Sequence, residues 1–310
     1  MKRLQSIGVM IFALCFAPRF TMADDSPKYA ERGMSAYYSG KFDLARLFFS
    51  KALQDAILKG KEEWIVKATL NLVDLELEAL EEAEAGRLLE GLTTKEKNLR
   101  SLILWKRSQL AYQQRHFPEA LASLDSALVL AKGDKAKELA MRLDHVRFRI
   151  QSTSPSIWGP EYDSIKNNSG RIDRGRIVGL EAMAAMSRRE FGKADTLWME
   201  AMNVYRDQGR LAKVAACLNQ RALCLFSSGY KDEALEINMR SVAIYSELGL
   251  ELPGLRAQAL RLLLVEDPKE LAKLHQDMDL VGQKFSGFDL QGVLDEYSHS
   301  MHFGRVGVGP

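Results

Sequence analysis

Four alanines share one local pattern, and that pattern restricts this chain to packed helix pairs. Ala45, Ala120, Ala194 and Ala234 are each preceded at twelve residues by a small side chain: Gly33, Ser108, Ala182 and Ala222. Seven residues after them come Ala52, Ala127, Ala201 and Ser241, then an apolar residue each time: Leu53, Leu128, Met202 and Val242. Two helices joined by a short turn approach closely only where small side chains face each other at the crossing. Large residues fill the space around it: Tyr37, Tyr112, Met186 and Phe226 eight before the anchor, Phe42, Phe117 and Phe191 three before it, and Phe49, Leu124 and Trp198 four after it. Turn signals separate the two helices, Ser39-Gly40-Lys41 in the first unit and Ser228-Gly229-Tyr230 in the last.

These slots resemble the tetratricopeptide repeat, in which a small residue and an aromatic precede a glycine-containing turn, followed by Ala, an aromatic and Ala-Leu. The best copies are Gly33, Tyr37, Gly40, Phe42, Ala45, Phe49, Ala52-Leu53 and Ser108, Tyr112, Phe117, Ala120, Leu124, Ala127-Leu128. Arg115 and Arg189 stand where the turn glycine belongs. The anchor spacings of 75, 74 and 40 residues place further units near residues 82, 157 and 272, in a variant longer than the usual 34-residue repeat. The resemblance implies an all-α fold: an α-solenoid of antiparallel helix pairs, a superhelix of about six to seven units, some degenerate.

The expected organisation is a signal peptide over 1–23, repeats over 25–151, an irregular insertion over 152–170, repeats over 171–280, a capping helix within 281–303 and a disordered tail over 304–310. The leader has Lys2 and Arg3, an apolar run from Ile7 to Ala17 and small residues at Thr21 and Ala23. That is the layout of a secretory signal cut after Ala23, and the run is too short to span a bilayer. Leu14 before Cys15 argues against a lipoprotein. Such a cut removes three of the 43 basic residues and no acidic one, leaving 40 against 41. That balance excludes a general nucleic-acid binder, and no further segment reads as membrane-spanning. The expected location is therefore the periplasm or the outside of a bacterial cell. Cys217 and Cys224, seven apart on one helix, are too distant for a disulfide and read as small core residues.

Around residue 157 the rhythm fails. Two prolines and two glycines between Ser152 and Gly170 argue for an irregular segment, either a functional insertion or hinge presenting Trp158 and Tyr162 as exposed binding anchors or a degenerate half-repeat with a loop. At the other end, Leu290, Val293, Leu294 and Tyr297 form one apolar helical face suited to a terminal cap. The acidic run from Glu76 to Glu84 reads as a solvated face. Gly175 and Gly179 read as a close helix contact.

The sequence lacks the phosphate-loop, HExxH, GxSxG, CxxC and GxGxxG patterns. Catalytic residues, a cofactor and a metal site are accordingly not expected; Glu296, His299 and His302 drift around their helix instead of converging. The resemblance implies that first helices line a concave groove. The groove-facing slots give Met34, Tyr37 and Tyr38; Trp105, Gln109, Tyr112 and Gln113; Met183, Met186 and Ser187; and Asn219, Phe226 and Ser227. That lining is aromatic, Met-rich and almost uncharged, which fits an extended peptide or a partner helix and disfavours a clamp for a terminal carboxylate. The expected function is a non-catalytic protein-interaction scaffold of the bacterial envelope. The rival readings are a structural subunit of an envelope or outer-membrane assembly, and a sensor or enzyme of small molecules or cell-wall fragments using the 152–170 segment.

Overall fold

Apolar faces at helical spacing, interrupted every 8 to 18 residues by a turn residue, give a chain of short helices. The computed structural model describes residues 25–153, 155–168, 174–285 and 288–302, and these form fifteen α-helices and no strand. In chain order they are α1 (Ser26–Tyr38), α2 (Phe42–Leu58), α3 (Glu62–Glu78), α4 (Glu82–Leu89), α5 (Lys97–Gln113), α6 (Phe117–Ala131), α7 (Lys135–Ser152), α8 (Pro155–Asn168), α9 (Arg174–Ser187), α10 (Phe191–Asp207), α11 (Leu211–Ser227), α12 (Lys231–Glu247), α13 (Glu251–Leu264), α14 (Pro268–Gly282) and α15 (Leu290–His302). Neighbours pack as pairs, α1 with α2 through α13 with α14, so the fold is an α-solenoid of seven pairs plus a last helix. The signal-peptide segment 1–23 and the tail 304–310 lie outside the described residues.

The turns close by one device. Lys41 N–H donates to the Ala36 carbonyl at 2.9 Å while Gly40 holds φ +71, which is the left-handed closure of a helix end. Arg115 (φ +62) and Arg189 (φ +61) adopt the same conformation without being glycine, and Leu80 (φ +60) does so at the end of α3. A side chain in that region costs about 1–2 kcal/mol, so the repeat geometry outweighs the local preference.

At the crossings the small slots behave as their spacing predicts. Ala45, Ala120, Ala194 and Ala234 are fully buried. A Cβ on Gly33 would run into the Phe49 ring, and one on Gly175 would lie 2.7 Å from the Tyr205 ring, so the Gly175–Gly179 stretch is a close contact between α9 and α10. Cys217 and Cys224 are free and buried, and burial pushes both thiols up to about 12.

The segment expected to be irregular is α8, a helix. Gly159 and Pro160 lie inside it. Pro160 removes one backbone donor near the helix start, a cost of about 3 kcal/mol. Burial of Trp158, Tyr162 and Ile165 among Leu143, Val146, Ile150 and Leu180 offsets it at roughly 2 kcal/mol per large side chain. Trp158 is only 1% exposed, so neither it nor the buried Tyr162 presents a free binding surface. Three residues past the start of α2, α6, α10 and α12 comes the anchor alanine; three past the start of α8 comes Trp158. The other small slots of this pair hold Val146 and Ile165. Pair four is therefore a repeat whose small slots have all become large.

The array bends until its ends meet. Phe42, Ala45, Phe49 and Leu75 from the first two pairs share one apolar cluster with Ala212, Ala215, Tyr245, Leu250 and Ala257 from the last pairs. A Cβ on Gly40 would lie 2.7 Å from Leu248, and Lys213 on α11 pairs with Glu78 on α3 at 2.7 Å. This corrects the reading of the acidic run as a solvated face. Glu78 joins the two ends of the chain, and buried Glu76 accepts a two-pronged contact from Arg46 at 2.9 and 3.0 Å.

Helix α15 buries Val293 and Tyr297 as its periodicity predicts, but it does not simply extend the stack. It packs on α13 and α11, the first helices of the last two pairs. The Tyr297 hydroxyl donates to the Arg256 carbonyl at 2.8 Å and accepts from Asn219 at 3.1 Å. Glu296 pairs with Arg256 at 2.6 Å and reaches Arg115 of the α5–α6 turn at 3.4 Å. Among the described residues no helix is long and apolar enough to cross a membrane.

Candidate functional site

First helices face inward, and closure of the array gathers them around a pocket of about 570 Å³ with adjoining lobes of about 320 and 280 Å³. The site is built mainly from α1, α3, α5, α7, α9 and α11; Phe49 of α2 and Trp198 and Tyr205 of α10 reach it from second helices, and α15 adds Glu296 and Tyr297 at the second lobe.

Most of the residues expected on the groove are brought together here. Met34, Tyr37, Tyr38, Trp105, Gln109 and Met183 line the main pocket. Tyr112, Met183, Met186 and Ser187 line the second lobe, and Gln113 the third. Tyr38 is 52% exposed. Five expected contacts are elsewhere, among them Ser227, whose hydroxyl donates to the Leu223 carbonyl at 2.8 Å. Trp158 and Tyr162 are core. Asn219 is buried in a chain of amides and hydroxyls, bonded to Tyr297 and to Asn238 at 2.9 Å. Phe226 packs against the core of the last pairs. These residues hold the scaffold instead of facing the pocket.

The uncharged lining is the expectation that fails. Asp74, Glu78, Lys106, Asp144, Arg147, Arg176, Arg210 and Lys213 all line the main pocket. Two networks organise them. In the first, Lys106 pairs with Asp74 at 2.5 Å, Lys213 with Glu78, and the Tyr37 hydroxyl donates to Glu78 at 3.3 Å. Burial would raise the Glu78 carboxyl, but Lys213 and Arg210 outweigh it and hold it below its ordinary range. Burial and the Glu78 charge raise the Tyr37 phenol strongly.

The second network centres on Asp144, whose side chain is 3% exposed. One oxygen accepts from Trp105 Nε1 at 2.7 Å and Gln109 Nε2 at 2.8 Å. The other accepts from Arg176 at 3.0 Å and faces Arg147 at 3.3 Å. Burial alone would push this carboxyl up; the two guanidiniums and the two hydrogen bonds bring it down to about 2. Asp144 therefore stays ionised and locks α5, α7 and α9 together. Arg147 lies over Tyr112, 4.8 Å from the ring centroid, and Tyr112 in turn stacks on Phe148 at 4.3 Å. Burial raises the Tyr112 phenol to about 12.

Three of the missed charges, Asp74, Glu78 and Arg147, carry the same signal as the found aromatics. If Ala85 is taken as the anchor of pair two, the groove slots eleven and seven residues before it hold Asp74 and Glu78. If Trp158 is taken as the anchor of pair four, the slot eleven before it holds Arg147. Those anchors went unread because pair two has a large Val73 in its first slot and a short second helix, and pair four has no small residue in any slot.

No protein-family model matches the chain, and no curated protein matches it in sequence. Among solved structures it is similar in fold to aspartyl phosphate phosphatase F from Bacillus subtilis, with a TM-score of 0.50 and 13% sequence identity over 91% of this chain and 81% of that one.

Proposed function

We propose that this chain is a non-catalytic binding scaffold that takes a short segment of a protein or peptide partner into the interior formed by its first helices. The observation that carries this reading is the convergence of Met34, Tyr37, Tyr38, Trp105, Gln109 and Met183 from three different pairs on one pocket. Aromatic rings, flexible Met and amides suit an extended chain of mixed composition. The pocket volume lies in the range of small-ligand sites. Two turns of a helix about 11 Å across need on the order of 1,000 Å³, so an extended segment fits the main pocket better than a docked helix. The leader supports export to the bacterial envelope or beyond, and the missing motifs support a role without catalysis.

A photo-crosslinking residue placed at Tyr38, inside, and at Val129, 71% exposed on the outer helix α6, tests this in the native host. Crosslinks to a partner at Tyr38 and not at Val129 are expected. Crosslinks only at Val129 would replace the interior reading with assembly through outer faces. N-terminal sequencing of the exported chain is expected to begin at Asp24; an intact Met1 on a cytosolic protein would end the export reading.

A further inference from the structure

We propose that Arg147 is a receptor for a ligand carboxylate, so that the segment held in the interior is anchored by an acidic group at the point where the three lobes meet. The proposal rests on the peptide-binding reading above and adds the chemistry of the anchor. Arg147 and Ala216 line the main pocket and both adjoining lobes, and of the two only Arg147 carries charge.

Its bonding is incomplete. A carboxylate has about four lone-pair positions, and Asp144 fills them with Trp105, Gln109, Arg176 and Arg147. Of these four, Arg147 is the most distant, at 3.3 Å. Asp144 is thus shared between two guanidiniums, and the Arg147 contact is the looser of the two. The Arg147 Nε is buried and has no hydrogen-bond partner, so the end of the guanidinium is the part a ligand reaches. Its side chain is nevertheless 36% exposed to the interior. The ring of Tyr112 fixes the plane of the fork from one face, which lowers the cost of presenting paired N–H donors to a planar acceptor. A carboxylate arriving there takes up donors that the protein leaves unused, and Asp144 keeps three other partners if Arg147 shifts toward the ligand.

The test uses the full mature chain, immobilised, and three pools of random hexapeptides: free acids lacking Asp and Glu, the same sequences as C-terminal amides, and amides containing Asp or Glu. Retention of the free acids over the plain amides assigns the anchor to a chain terminus; retention of the acidic amides assigns it to a side chain. Either supports the proposal if Arg147→Met lowers that retention roughly tenfold or more, with Arg147→Lys intermediate because it keeps the charge but loses the fork. Equal retention of all three pools by the wild-type chain would overturn the carboxylate anchor while leaving peptide binding intact, and this comparison needs no variant to fold. Unchanged retention by a folded Arg147→Met would overturn it too. If no pool is retained, the peptide-binding reading fails with it.

Discussion

Pairs three and four sit side by side and solve the same packing problem with opposite materials. In pair three, Ser108, Ala120 and Ala127 let α5 and α6 cross closely, and the aromatics fill in around them. In pair four, Val146, Trp158 and Ile165 occupy the equivalent slots, so the bulk lies at the crossing itself. The regular pair supplies aromatic and amide groups to the interior, Trp105, Gln109 and Tyr112. The irregular pair supplies two charges to the main pocket, Asp144 and Arg147, against the single Lys106 of the regular pair. The repeat is therefore a geometric rule that tolerates exchange of small for large side chains, provided the buried volume stays filled.

The comparison can be broken most severely at its anchor. Trp158→Ala is expected to cost about 3–5 kcal/mol by leaving a cavity in the core of pair four, read as a lower midpoint in denaturant unfolding. The reciprocal Ala120→Leu in pair three should cost about 1–3 kcal/mol by overpacking. If Trp158→Ala proves nearly neutral, α8 is not held by its anchor slot.

Next in size is the charge that joins the two pairs. Asp144→Asn is expected to lose about 2–4 kcal/mol, since two partly exposed guanidiniums lose their common partner. The sign of the pH dependence follows from the depressed carboxyl. Its contribution is complete above the unfolded value near 4 and is lost as pH falls toward about 2. Wild type should therefore lose stability across that interval by an amount that Asp144→Asn does not, measured as the difference between their melting temperatures at each pH.

The smallest expected effect separates the turns. Arg189→Gly relieves a side chain held at φ +61 and should raise stability by up to about 1 kcal/mol. Arg115→Gly relieves the same conformation but removes the ion pair to Glu296, so its gain should be smaller. Equal gains would show that the link from pair three to α15 contributes nothing.

The two pairs also explain what the sequence could and could not disclose. Pair three follows the small-slot spacing, so its helices and its groove residues Trp105, Gln109 and Tyr112 were legible. Pair four hides the same frame behind Trp158, and its Gly159-Pro160 step signals a break that the buried aromatics override. That hides Arg147, as the worn pair two hides Asp74 and Glu78, while Lys106, Arg176 and Lys213 lie in legible pairs but off the groove slots; together these make the lining read as uncharged. Closure of the array through Glu78 and Lys213, 135 residues apart, has no local signature. It depends on the accumulated rotation of all the pairs.

Hydrogen exchange of the full chain with and without the free-acid peptide pool tests whether a peptide enters the interior. The account predicts added protection along the inward helices, around 105–109 of α5, 144–147 of α7 and 176–183 of α9, with the outer helices α6, α10 and α12 unchanged. Protection confined to the outer helices would contradict it.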